Sequence, residues 1–413
     1  MKVLVVHNSY LQPGGEDVVF EQETQLLRNN HDQVVEFHCQ NAEINGGLRQ
    51  KLNIARNAIW ANGTARAIRD LIVRERPDVA HFHNVFNAIS PSCYYACREL
   101  DVPVVQTVHN YRLMCPSSDF FRDGQICQSC LGKSIAWPGV VHGCYHASRL
   151  ETGVVAMMIA AHHWWETWLH QIDTYIATSG CVRNKLIQGG FPANKIVVKP
   201  NFIDPDPGFQ EERVSRYAIF AGRLSREKGA AILVEAWRRI SDLPLLIAGD
   251  GPQAPELERL IASSDAGNVQ MLGYRPRSEL LHLLKGASLL IFPSQWQETF
   301  GLAVIEAFAC GVPVIATRLG ALPELIDHFR TGLLCDAGSV QALAETIQWA
   351  INHPPEMETI RRAARKEYEQ RYTAAANYPL LRRIYEHTLR QFAADSERVS
   401  TGAMISTGDG GRI

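Results

Sequence analysis

The chain has 413 residues, 46% of them hydrophobic and 20% charged, which is too much for one small core and excludes a largely disordered chain. Its 41 basic and 43 acidic residues nearly cancel, and the net charge of -2 gives no global field for nucleic acid or an anionic membrane. Any anionic ligand must be held locally.

The opening "MKVLVVHNSYLQPGGED" carries an apolar run too short for the core of a signal peptide, so the mature chain is expected to begin at Met1. Beyond it, β-rich runs alternate with helical patterns, as in a parallel sheet covered on both faces. In the first half the runs "KVLVVH", "VVEFH", "DVAHFH", "VPVVQTVH" and "DTYIATS" predict strands, with amphipathic helices at 16–29 and 56–75 between them. His7, His83, His109 and Asn110 fall at strand ends, where open α/β sheets bind ligands. A solvated loop position is the competing reading for each.

The longest uncharged apolar stretch, Thr152 to Trp165, falls short of the roughly 20 residues that cross a bilayer, so no transmembrane helix is expected. Without an export signal, the ten cysteines are expected in a reducing cytoplasm, as thiols or metal ligands. Residues 161–170, "AHHWWETWLH", carry three tryptophans, which suit either a helix packed on a core or a belt at a membrane surface.

"KPNFIDPDPG", residues 199–208, has three prolines and a glycine and predicts a linker. The expected domains are 1–203 and 204–372, followed by a crossover helix at 373–396 and a disordered tail at 397–413. Strands of the second unit are predicted at "YAIFAG", "PLLIAGDG", "VQMLGY", "SLLIFPS", "PVIATR" and "GLLCD".

In "AGRLSREKG", residues 221–229, a strand end is followed by Arg223 and Lys228 around a helix start, while Gly222 and Gly229 allow close backbone approach to a diphosphate. Solvated basic residues are the plain alternative. "GDGP" adds a second tight turn, with Gly251, at the same sheet edge. In "ETFGLAVIEAFACGVPVIAT", Glu298 falls in a loop, Gly301 can open a helix whose free N–H groups favour negative charge, and Glu306 lies one to two turns on, suited to ribose hydroxyls.

Taken together, "GG-E", "VHN", "PNFID", "GRLSREKG", "GDGP", "P-S-x3-E-T-F-G-L-x3-E-A" and "CG-P-V-I-A" resemble, in order and spacing, the family-four retaining glycosyltransferases, over nearly the whole chain. The resemblance implies the GT-B fold: two Rossmann-like domains facing across a cleft, with a C-terminal helix crossing back to the first. It implies a nucleotide-diphosphate sugar as co-substrate, with Arg223 and Lys228 on its diphosphate, Glu298 on its sugar, Thr299, Phe300, Gly301 and Leu302 on sugar and phosphate, and Glu306 on the ribose. Gly222, Gly251 and Tyr274 would complete the donor side, and base and sugar would be read by loops such as Gly273 to Arg275. His109 and the Gly14–Gly15 loop would close over the donor from the other domain. Asn110 departs from the Asp often found after that histidine.

The resemblance further implies retention without a catalytic metal, a glycan or polyprenyl-linked glycan acceptor, no nucleic acid, and a cytoplasmic location with peripheral contact at the inner face of the membrane. A catalytically silent scaffold or a nucleotide-sugar epimerase of the same fold is the alternative.

One array stands outside this pattern. Cys115, Cys127, Cys130 and Cys144 are spaced C-x11-C-x2-C-x13-C, and the central C-x2-C is the usual half-site of a structural zinc. His142 or His146 could replace a cysteine, and unligated thiols are the alternative.

Overall fold

A computed structural model describes residues 1–9, 14–41, 47–210, 217–263 and 267–406. In the first unit, β1 (Lys2–Ser9), β2 (Gln33–Gln40), β3 (Val79–Asn84) and β4 (Val104–Val108) are followed by a short antiparallel hairpin, β5 (Phe121–Arg122) with β6 (Gln125–Ile126). β7 (Thr174–Ala177) and β8 (Ile196–Val198) complete a sheet in the order β2-β1-β3-β4-β7-β8, with every described pairing parallel.

The second unit contributes β9 (Ala218–Ala221), β10 (Leu245–Ala248), β11 (Val269–Gly273), β12 (Leu289–Phe292), β13 (Val314–Thr317) and β14 (Gly332–Cys335). Their order, β11-β10-β9-β12-β13-β14, is that of a doubly wound sheet, and its direction reverses between β9 and β12.

Both faces of the sheets are covered, so β3, β4, β7, β9, β12 and β13 are buried at every position; β9 and β12 read as continuous apolar runs, whereas β3 and β4 bury polar side chains such as His81 and Gln106 among theirs. Side chains alternate across the sheet, so Leu4 and Val6 of β1 enter one core while Val3 and Val5 enter another. The second core is closed by Leu381, Ile384 and Tyr385 of the last helix, Ala374–Ser406. Full burial of a leucine such as Leu381 contributes roughly 1.5–3 kcal/mol, and this is what draws a C-terminal helix onto the first sheet. Arg382 Nη1 and the Tyr378 hydroxyl fix it by donating to Asp32, at 2.7 and 2.9 Å.

Three details depart from the sequence reading. The helix expected over 56–75 is two, Leu48–Ile59 and Asn62–Glu75. The break lets Ala61 N donate to Ser90 Oγ at 2.9 Å and lays the Trp60 ring on Tyr95 and Trp165. The three-residue β8 lies just before the predicted linker, too short to show a periodicity. Helix continues to Ser406, into the segment expected to be disordered from 397; residues 407–413 lie outside the described residues.

Candidate active site

The reversal between β9 and β12 opens a crevice at the carboxyl ends of the strands, and the loops leaving these two strands fill it. Glu227 O accepts from Gln295 N at 2.7 Å, which stitches the "GRLSREKG" loop to the loop after β12. Across this seam Lys228 Nζ donates to Glu298 Oε1 at 2.7 Å, and the same oxygen accepts from Ser294 Oγ at 2.8 Å. The Glu298 side chain is buried, whereas Lys228 keeps one side open to the crevice and lies 5.0 Å over the Trp296 ring. The Glu298 loop rests directly on Gly320: with φ of 58°, a Cβ there would stand 2.4 Å from Glu298 N, so a side chain at Gly320 would displace the carboxylate.

Gly301, at φ of 108°, is the N-cap of the helix Leu302–Ala309. The turn aims the helix's free N–H groups into the crevice. Phe300 is buried and packs its ring on Tyr372, so only its backbone is available to a ligand. Glu306 is buried on this helix and accepts from Arg277 Nε at 3.1 Å; burial raises its carboxyl pKa, against the pull of Arg277. Arg223 is exposed at the mouth, and the turn holding Gly251 is tied to the same loop by Leu224 N donating to Asp250 O at 2.9 Å. Tyr274 does not join them: it is 69% exposed beyond β11, two strands from the crevice.

The first domain meets this loop from across the cleft. Thr299 Oγ1 donates to His109 O at 2.8 Å, and Thr299 O accepts from Thr178 Oγ1 and Ser179 Oγ at 3.0 and 2.8 Å. Gly15 faces Leu302, whose Cδ2 would lie 3.9 Å from a Cβ at that glycine. Gly14 N donates to Asp17 Oδ2 at 2.7 Å. Glu324 accepts from Gly180 N and Cys181 N at 2.7 and 2.6 Å, so a carboxylate of the second domain sits on a helix N-terminus of the first. Asn110 donates through Nδ2 to Glu16 at 3.0 Å, a bond that an aspartate could not make beside that carboxylate.

Behind His109 runs a buried polar chain. His109 Nε2 shares a hydrogen bond of 3.0 Å with His83 Nδ1, and His83 Nε2 stands 3.5 Å from Glu23 Oε2. Glu23 is paired with the fully buried Lys199, which also donates to Asn377 Oδ1 of the last helix at 3.0 Å. Burial, with His7, His81 and Lys199 nearby, pushes the His109 imidazole down to about 3, and burial brings His81 to about 4. Both rings are therefore neutral donors or acceptors at neutral pH. His7 Nε2 contacts Asp17 Oδ1 at 2.9 Å. Although burial opposes it, that contact holds the Asp17 carboxyl below its ordinary value.

The crevice thus gathers Arg223, Lys228, Glu298, Thr299 to Leu302, Glu306, His109 and the Gly14–Gly15 turn. Arg277, Trp296, Gly320 and Glu324 were not foreseen, since each acts through a partner distant in sequence, and neither was Ser294, whose partner Glu298 is four residues on. The four spaced cysteines line a separate small cavity in the first domain.

A sequence profile described as Glycosyltransferase Family 4 matches residues 14–207, and one described as Glycosyl transferases group 1 matches 206–367. An uncharacterized glycosyltransferase of Methanocaldococcus jannaschii is 27% identical over 214 residues, 52% of this chain and 59% of that protein. The amylovoran biosynthesis glycosyltransferase AmsK of Erwinia amylovora is 28% identical over 230 residues, 52% of this chain and 56% of AmsK. The aligned regions thus span little more than half the length of these curated relatives. Among solved structures, Anabaena HepE in complex with UDP and glucose superimposes with a TM-score of 0.66 at 19% identity, covering 95% of this chain and 100% of HepE. With a doubly wound second sheet, a crevice at its switch point and two profiles running almost end to end, the chain belongs to the family-four glycosyltransferases and has the GT-B fold.

Proposed function

We propose that the chain is a retaining, metal-independent glycosyltransferase that moves a sugar from a nucleotide-diphosphate sugar to a hydroxyl of a glycan or lipid-linked glycan. The observation that carries this reading is the Lys228–Glu298 pair, 2.7 Å apart at the β9/β12 switch point, with the Thr299 loop docked against His109 of the opposite domain. A cation beside a carboxylate at a helix N-terminus suits a donor whose diphosphate and sugar lie side by side.

In this reading Lys228 and Arg223 neutralise the diphosphate together with the N–H groups after Thr299, so no divalent ion is required. Glu298 accepts from the sugar hydroxyls and Glu306 from the ribose, and neutral His109 bonds the sugar from above. The bond from the anomeric carbon to the phosphate oxygen breaks as the acceptor oxygen forms its own bond on the same face. The acceptor proton passes to the departing phosphate oxygen, and fixed dipoles stabilise the charge left there. Glu298 is held by Lys228 and Ser294, which favours a binding role for it over that of a nucleophile.

The acceptor half is the first domain, where a cavity of about 40 Å³ lies against His109, Arg112 and Phe86. Leu150, Met157 and Trp164 recur every seventh residue along the helix Arg149–Trp164 and are 87%, 61% and 63% exposed, with Trp165 beside them, whereas Trp168 is buried. That stripe supports peripheral contact with the membrane bearing a lipid-linked acceptor. No helix of the described residues is long and apolar enough to cross a membrane.

Assay of a panel of UDP and GDP sugars for nucleoside diphosphate release tests the reading, starting with UDP-glucose since HepE binds UDP and glucose. Release from at least one donor, undiminished by EDTA, with the anomeric configuration retained in the product, is expected. Transfer abolished by EDTA and restored by magnesium, or an inverted product, would refute it.

A further inference from the structure

Between Tyr111 and Ala147 the first domain has little regular structure: the two-residue strands β5 and β6 and one helix, Trp137–His142. Its backbone is nevertheless ordered by turns, which costs conformational entropy at every fixed residue. Few large apolar side chains are buried there to offset that cost, Tyr111, Met114 and Phe120 being the main ones.

Three stretches of this segment bring four cysteines to one place. Cys115 N donates to Tyr111 O, Cys127 N follows the hairpin and donates to Phe120 O, Cys130 ends the C-x2-C turn, and Cys144 N donates to Gly139 O after the helix. All four line one small cavity, with Pro116, Phe120 and Gly139 among its walls. A Cβ at Gly139 would stand 3.0 Å from Pro116 Cγ and 3.5 Å from Cys130 Sγ, so the wall is closely packed. None of the four is disulfide-bonded. His142 and His146 are exposed and do not line the cavity, and His146 contacts Glu151 at 2.8 Å.

We propose that Cys115, Cys127, Cys130 and Cys144 hold one structural zinc ion as a tetrathiolate. The C-x2-C turn supplies the chelating half, and Cys115 and Cys144 close the tetrahedron as the loops draw the sulfurs to about 2.3 Å from the metal. No three of the four sulfurs lie within 4.8 Å of one another. Among the described residues only Glu23, His81 and His83 bring three ligand atoms within 4.8 Å of one another. In that trio both nitrogens of His81 are already taken, by Tyr385 and Thr107 at 2.7 Å, and Glu23 is paired through its other oxygen with Lys199. Each cysteine thiol gives up its proton to solvent on binding, so four protons leave as four Zn–S bonds form. The ion would pin the loop that carries Tyr111, whose ring packs edge-on against Trp296, 6.3 Å away, below Lys228. It takes no part in bond cleavage.

Metal analysis of the full chain purified without chelator is expected to find about one zinc per chain. The content should be unchanged in Cys39→Ser, whose thiol lies on β2, and lost in the Cys127→Ser, Cys130→Ser double variant. Should the double variant fail to fold, wild type decides: titrating its thiols with a mercurial should release about one zinc into a metallochromic indicator, and refolding with Co²⁺ should give a thiolate-to-cobalt absorption band. A folded, metal-free wild type whose melting temperature does not respond to added zinc would overturn the proposal. So would an intact mass showing that these cysteines are oxidised in pairs.

Discussion

Asn110 sits where a carboxylate would oppose Glu16, and its Nδ2 bond to that side chain links the end of β4 to the start of the first helix, Gly15–Asn29. Asn110→Asp should therefore lower the melting temperature more at low ionic strength than at high, where salt screens the repulsion between the two carboxylates. Equal losses at the two salt concentrations would show that the contact is not electrostatic. One residue back, His109 is bonded to His83 and meets the Thr299 loop from the domain opposite the proposed nucleotide site. His109→Ala should impair sugar transfer while leaving calorimetric affinity for the free nucleoside diphosphate nearly unchanged; a large loss of affinity would place the histidine on the nucleotide instead. Glu298, Lys228 and Glu306 were legible in the sequence because a strand, a glycine and a helix start fixed their setting locally. Arg277 was not, since its partner Glu306 lies 29 residues away and no spacing rule connects them.

At the scale of elements, β3 and β4 end in a row of histidines packed under the last helix. His81 and His83 share a face of β3, and His81 Nδ1 contacts the Tyr385 hydroxyl at 2.7 Å. His81, His109 and His162 are pushed down to about 4, 3 and 4, in each case chiefly by burial. In the unfolded chain these rings take up protons near pH 6.5. The folded state refuses those protons, so its stability is complete above that value and is lost as pH falls toward 4. The slope is at most about 1.4 kcal/mol per pH unit for each histidine. Thermal melts should be level from pH 8 to 7 and fall steeply between 6.5 and 4.5, less so in His81→Asn. A level profile down to pH 4.5 would contradict this. Strands such as β9 and β12 were readable because double burial makes them unbroken apolar runs. The break at Trp60–Ala61 was not, because Ser90 and Tyr95, which hold it, come from a later element.

Across the whole molecule, the alternation of strands and helices announced two parallel α/β units, and the switch point of the second indicated where a ligand would bind. Sequence spacing could not show that Thr299 is bonded to His109, or that Glu324 caps the helix Gly180–Gln188, since both contacts join residues more than a hundred positions apart. These contacts turn two half-sites into one crevice, and the Lys228–Glu298 pair lies at its centre. The most direct test is the turnover of the preferred nucleotide sugar by wild type, Lys228→Ala and Glu298→Gln, with folding verified by circular dichroism. Loss of a transition-state electrostatic contact predicts a fall of roughly a hundredfold or more in each variant. Near-normal turnover in both folded variants would contradict the assignment of this crevice as the site of transfer.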